Sequence, residues 1–143
     1  MAQKHPFHVK DYQKHEAIKG CCPLLEVIIG ASQERIVVYA DTGCTVGLSL
    51  LKRQIGNLDL GKKINDDPYE VSVADGHVVE ADLYETSLSI DGVQKDIIVY
   101  VVNPEKYKDG ELKESIALLG RGFLDNFDVM FKGKDKKIEL FEP

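Results

Sequence analysis

The sequence has no apolar run of the length needed to cross a bilayer. Its opening stretch, Met1 to Gly20, is polar and has no apolar core of the kind a secretory signal requires. Both absences point to a cytoplasmic protein with no membrane partner. Basic residues are also in short supply: 18 Lys and Arg stand against 24 Asp and Glu, for a net charge of −6. With no basic stripe to neutralise a row of phosphates, nucleic acid is not the expected partner. Cysteine is scarce, with three residues at 21, 22 and 44. Neighbouring cysteines rarely bridge, because disulfide geometry does not fit an ordinary trans dipeptide. Reduced thiols in a reducing compartment are therefore expected. There is no internal repeat and no low-complexity tract, and little of the chain reads as helix.

What is present suits one domain with one core: 143 residues, 43% hydrophobic and 29% charged. Residues 1–22 read as an N-terminal arm, with a short helix around Asp11–Ile18, and residues 23–143 as the domain proper. From Pro23 the texture is that of strands. Leu24–Ile29 and Arg35–Ala40 are rich in β-branched residues and flank the turn residues Gly30–Gln33, which predicts a hairpin. Ser49–Gly56 reads as a short helix, with Ser49 as cap, Leu50, Leu51 and Ile55 as apolar face and Gly56 as stop. Leu58–Asp67 is polar and loop-like. Tyr69–Ala74 and His77–Ile90 flank Asp75-Gly76, and Asp91-Gly92 leads into Val93–Val102. Asp-Gly between alternating runs is a strong hairpin signal. Ile116–Leu119 is a short apolar strand, Arg121–Asn126 a helical turn, and Phe127–Phe131 with Lys137–Phe141 a last hairpin. Many short strands joined by tight turns predict an all-β, barrel-like domain.

Asp41-Thr42-Gly43 stands out by its context. An apolar strand, Ile36–Ala40, runs straight into it, and Val46, Leu48, Leu50 and Leu51 follow. A carboxylate in such surroundings is desolvated unless it is paired. Glycine allows a tight turn and leaves room beside the carboxylate. Threonine adds a hydroxyl that both donates and accepts. The plain alternative is a strand-end turn in which the Asp side chain caps its own backbone. A second segment, Leu118-Leu119-Gly120-Arg121, joins an apolar strand through glycine to the predicted helical turn.

Other clusters carry less. His5, His8, His15, Cys21 and Cys22 could be drawn as a zinc site, but their spacing fits no strong template. Cys44 has no His near it in sequence, so a small packed residue is the better reading than a nucleophile.

Together these two segments, with a hairpin between them, resemble the retropepsin family of single-domain aspartic peptidases, over roughly residues 23–131. The resemblance implies a closed acid-protease-like β-barrel with one short helix, forming half of a two-fold homodimer. It implies Asp41 as the catalytic carboxylate, supported by Thr42, Gly43 and Cys44. Leu119, Gly120 and Arg121 would lie near the site. Val73, Ala74, Asp75, Gly76 and His77 would form the tip of a flap closing over an extended polypeptide. The chemistry needs no metal or organic cofactor. Since the chain has one Asp-Thr-Gly, a second copy would supply the second carboxylate. Cys44 departs from the family's usual Ala or Ser, and Thr45 from the acidic residue that often pairs with the arginine. The same fold could also serve as a non-catalytic dimeric module that binds peptides.

Overall fold

The computed structural model describes residues 4–15, 18–30, 33–56, 58–67, 69–72, 78–102 and 116–143. Strands dominate. Three lie in the N-terminal stretch: β1 (His8–Asp11), β2 (Gln13–His15) and β3 (Ile18–Cys22). Then come β4 (Leu24–Ile29), β5 (Glu34–Ala40), β6 (Leu48–Leu51) and the two-residue β7 (Lys62–Lys63). The hairpin region supplies β8 (Tyr69–Ser72), β9 (Val78–Ile90) and β10 (Val93–Val102). After β11 (Ala117–Leu119) the chain makes its short helix α1 (Arg121–Leu124), and it finishes with β12 (Asp128–Lys132) and β13 (Lys137–Phe141).

Local chemistry explains the hairpins. β4 and β5 pair antiparallel from Leu24 opposite Tyr39 to Ile29 opposite Glu34. In the turn between them, Gly30 and Gln33 both adopt positive φ. β9 and β10 pair from Ile90 opposite Val93 to Ala81 opposite Val102. Their turn, Asp91-Gly92, has φ of 47° and 80°. Two consecutive positive φ values match the twist of the flanking strands, and this is why Asp-Gly works there. β8 pairs antiparallel with the start of β9, Tyr69 opposite Ala81 and Ser72 opposite Val78.

The strands do not form the single closed barrel that the sequence suggests. They divide over three sheets of three, eight and two strands. The small ones are β1-β13-β12 and β2-β3. The large one runs β10-β6-β11-β5-β4-β9-β7, with β8 joined to β9 and a further pairing of β9 with β10. This sheet is mixed: β6 is parallel to β10 and β11 is parallel to β5, while the remaining pairs are antiparallel. Hairpin signals report only pairings between neighbours in sequence. The parallel pairings join distant segments, and no local residue pattern marks them.

Two expected helices are also corrected. Ser49–Leu51 belongs to β6, and only Lys52–Gln54 winds, as a 3-10 turn. A leucine-rich run fits a buried strand as well as a helix face. Here pairing decides it, since β6 is held between β10 and β11 and buries Leu48, Leu50 and Leu51. The arm is likewise stranded where a helix was expected around Asp11–Ile18: β1 adds to the edge of β13, and β2 pairs with β3.

The main core gathers Leu25, Val27, Val38, Leu48, Leu119 and Phe123. Ile138 and Leu140 bring the terminal sheet onto it. Phe123 of α1 stacks at a tilt on Phe127, with centroids 5.1 Å apart, and Phe7 packs on the same ring at 5.3 Å. The helix is thereby nailed to the sheets. Phe123→Ala leaves a cavity at a fully buried position and is expected to lower stability by about 3–5 kcal/mol, as read from the urea midpoint.

Candidate active site

Asp41 leaves the end of β5 in a fixed position. Ala40 N donates to Pro23 O at 3.0 Å, and Asp41 N donates to Leu119 O at 2.9 Å. The strand end is thus held from β11 on one side and from the start of β4 on the other. The next residues turn back: Cys44 N donates to Asp41 O at 3.1 Å, and Gly43 N donates to the carboxylate Oδ1 at 2.9 Å. The plain Asx-turn is therefore real. It also fixes one oxygen of the carboxylate, and among the described residues the other has no hydrogen-bond partner. A Cβ added at Gly43 would sit 3.2 Å from that Oδ1. Glycine leaves the turn room to close.

The second segment locks onto the first. Gly120 N donates to Gly47 O at 3.0 Å, Arg121 N to Cys44 O at 2.8 Å and Gly122 N to Val46 O at 3.2 Å. These three amides satisfy the carbonyls of the loop that follows Asp41. The two backbones come so close that side chains cannot fit between them. A Cβ at Gly120 would collide with Val46 O and lie 2.6 Å from Cys44 O and 2.9 Å from Cys44 Sγ. At Gly122 it would lie 2.9 Å from Gly47 Cα. Leu119 is fully buried and anchors this segment in the core.

Arg121 contributes through its backbone. Its side chain is half exposed and, among the described residues, pairs with Asp125 at 4.0 Å, one helical turn on. Thr45 stands exposed in the loop. The apolar flanks do not enclose Asp41 in the single chain: its side chain is half-buried, and Thr42 and Gly43 are exposed. Val38 and Ala40 before it, and Leu48 and Leu50 after it, are buried in the core, whereas Val37 is exposed and Tyr39 shares a cleft with the carboxylate. Asp41 lines this open cleft of about 470 Å³ with Tyr12, Cys21, Cys22, Tyr39, Thr42 and Phe131. Sequence reasoning missed Tyr12 and Phe131, which reach the cleft because β1 and β12 flank β13 in the terminal sheet. No local signal marks that pairing.

The three thiols are free. Burial pushes the Cys44 thiol above its ordinary pKa; the Val46 backbone hydrogen bond opposes this and the Asp41 charge adds to it. Cys44 is a neutral neighbour of the carboxylate at physiological pH. Val73, Ala74, Asp75, Gly76 and His77 lie outside the described residues. The strands leading to them, β8 and β9, carry exposed Tyr69 and Val78. Among the described residues no group of three or more His, Cys, Asp or Glu could hold a metal ion, and no helix is long and apolar enough to cross a membrane.

The fold is similar to that of EIAV protease, solved in complex with the inhibitor HBY-793, with a TM-score of 0.54 and 19% identity over 73% of this chain and 86% of that one. The retroviral protease-like domain of Ddi1 from Leishmania major also aligns, at a TM-score of 0.43 and 15% identity, over 83% of this chain and 94% of that one. No protein-family model matches the sequence, and no curated protein does. The chain has a retropepsin-like fold, that of the retroviral aspartic proteases.

Two measurements probe the interlock. Gly120→Ala forces the two loops apart and is expected to cost about 1–3 kcal/mol, whereas Gly133→Ala, which meets open space, should change stability by less than about 0.5 kcal/mol, both read from urea melts. The second concerns pH. Below the ordinary thiol pKa, Cys44 is protonated whether the chain is folded or not, and its contribution to stability is complete. As pH rises through the raised folded value, the unfolded chain has already released its proton and the folded chain is penalised. Stability should therefore fall above about pH 8.5, and Cys44→Ala should show a shallower alkaline decline in urea melts between neutral and strongly alkaline buffer.

Proposed function

We propose that the chain is one half of a homodimeric aspartic endopeptidase, in which Asp41 supplies one of two carboxylates that activate water for peptide-bond hydrolysis. The observation that carries this reading is the mounting of Asp41. It stands at a strand end pinned by Leu119, has one oxygen fixed by Gly43 and faces an open cleft. The likeness of fold to EIAV protease supports it.

In the proposed dimer two Asp41 side chains meet across a two-fold axis. Two carboxylates that close cannot both ionise cheaply, so they share one proton and titrate as a pair, the behaviour for which aspartic proteases are the reference case. The ionised member takes a proton from water, and the protonated member delivers its proton to the scissile carbonyl oxygen. Thr42 from each copy would brace the pair across the interface, and the Gly43 backbone would meet substrate. The hairpin of residues 71–79 would cover an extended peptide, pairing with it as a strand and excluding water. Nothing in this scheme calls for a metal or organic cofactor.

The neutral, nearly isosteric Asp41→Asn should abolish cleavage of an unstructured protein at mildly acidic pH while circular dichroism and sedimentation stay as in the parent. The parent should be inhibited by a statine-type transition-state mimic. Undiminished cleavage by the variant removes Asp41 from the chemistry. A parent that binds peptides as a dimer but never cuts them assigns the fold to a non-catalytic binding module. A strict monomer at micromolar concentration contradicts the paired mechanism.

A further inference from the structure

A second groove lies beside the Asp41 loop. It has a volume of about 400 Å³ and runs from Thr45, Val46 and Gly47 to the outer faces of β9 and β10. Loop and sheet are in close contact there: a Cβ on Gly47 would sit 2.6 Å from Ile97 Cβ. The groove is thus built directly against the segment that carries the carboxylate. Its apolar part includes Ile98, which is 36% exposed, and Tyr100, whose ring is steadied by Tyr69 at a centroid distance of 5.7 Å.

Two carboxylates, Glu85 and Asp96, line the same groove and are exposed. Ile98 is the register partner of Glu85, and Asp96 that of Ser87. Glu85 and Asp96 are therefore diagonal neighbours on one face of an antiparallel pair, on the order of 7 Å apart at Cβ. Neither takes part in an ion pair among the described residues. Lys62 is the register partner of Glu85 on β7, yet it makes no ion pair with it. Other carboxylates of the same sheet are matched, as Asp82 is by Lys63 and Glu26 by Arg35. Here two like charges lie beside an apolar surface, and among the described residues no cation is paired with either. A long cationic side chain would complement that arrangement, with its methylene stem against the apolar surface of Ile98 and Tyr100 and its head toward the carboxylates.

We propose that this groove is a specificity site that takes a lysine or arginine side chain of an extended polypeptide substrate, at a position outside the scissile pair. The proposal rests on the peptidase reading above and adds the substrate class, a polypeptide with a basic residue at a fixed distance from the cut. The groove shares no lining residue with the cleft that holds Asp41, so the residue it takes is assigned to a position other than the two joined by the scissile bond.

The test uses the full chain and paired synthetic peptides that carry Arg or Gln at one scanned position. The chain should cleave the Arg peptide with kcat/KM roughly tenfold above the Gln peptide at one position. Raising salt from about 0.05 to 0.5 M should shrink that advantage. In the double variant Glu85→Gln, Asp96→Asn the Arg-to-Gln ratio should fall close to one. Equal rates at every position, or a ratio unchanged in the double variant, would overturn the site. Fluorescence anisotropy with the same labelled peptides decides the case without cleavage. If nothing is cut but Arg peptides bind roughly tenfold tighter, and the double variant loses that preference, the groove stands and the peptidase reading falls. If Arg and Gln peptides bind alike, the groove proposal is wrong whatever the chain cleaves. Should the double variant fold poorly by circular dichroism, the two single variants and the salt series on the unaltered chain decide between the same outcomes.

Discussion

Everything near Asp41 depends on two stretches of backbone that cross with no side chain between them. Gly120 and Gly122 let α1 and its approach lie against the loop from Cys44 to Gly47, and three amide hydrogen bonds fasten the crossing. Buried backbone polar groups need partners, and each loop satisfies the other's. The arrangement makes an otherwise irregular loop as rigid as a strand. Asp41 inherits that rigidity, since its own amide is held by Leu119 one residue before the crossing. A loop placed this way can hold a reactive group at fixed geometry, which flexible surface loops cannot do.

The sequence was most readable where a single short segment contains its own cause. The Asp91-Gly92 turn and the β4–β5 hairpin follow from turn residues between β-branched runs, and both stand close to their expected bounds. The short helix after Gly120 was legible for the same reason. Legibility ended where pairing is long-range. Ser49 has the chemistry of a helix cap, but its strand lies between two others and burial of Leu48 and Leu50 outweighs capping. The arm from His8 to His15 has only a weak hydrophobic period, yet it forms strands because β13 offers an edge to β1 and β3 offers one to β2. Parallel neighbours such as β6 with β10 leave no trace in either segment alone, and so the mixed sheet was not foreseen.

The site shows the same division. Asp41, Gly43 and Gly120 were readable as residues that a tight, apolar-flanked turn requires. The role of Arg121 was not. Among the described residues its side chain reaches toward Asp125, while its amide does the structural work on Cys44. Amide placement has no residue signature, because every residue but proline has one. The surroundings of the carboxylate were misjudged in a related way. The buried apolar neighbours are alternate residues, Val38 and Ala40, while Val37 is exposed, Tyr39 lines the cleft, and the carboxylate itself is left half-open to it.

β9 is 13 residues long and has two unlike edges. One edge is committed to β10 over ten consecutive pairs. The other is let out in parcels: residues 78–81 to β8, 84–85 to β7 and 88–89 to β4. The pairing with β8 ends after four pairs, and the next stretch of that edge belongs to a different strand. Separation of β8 would remove those four pairs and leave all ten pairs with β10 in place. The strand is a spine to which three partners attach over separate lengths, so a change in one partner's length or sequence is confined to its own stretch of the edge.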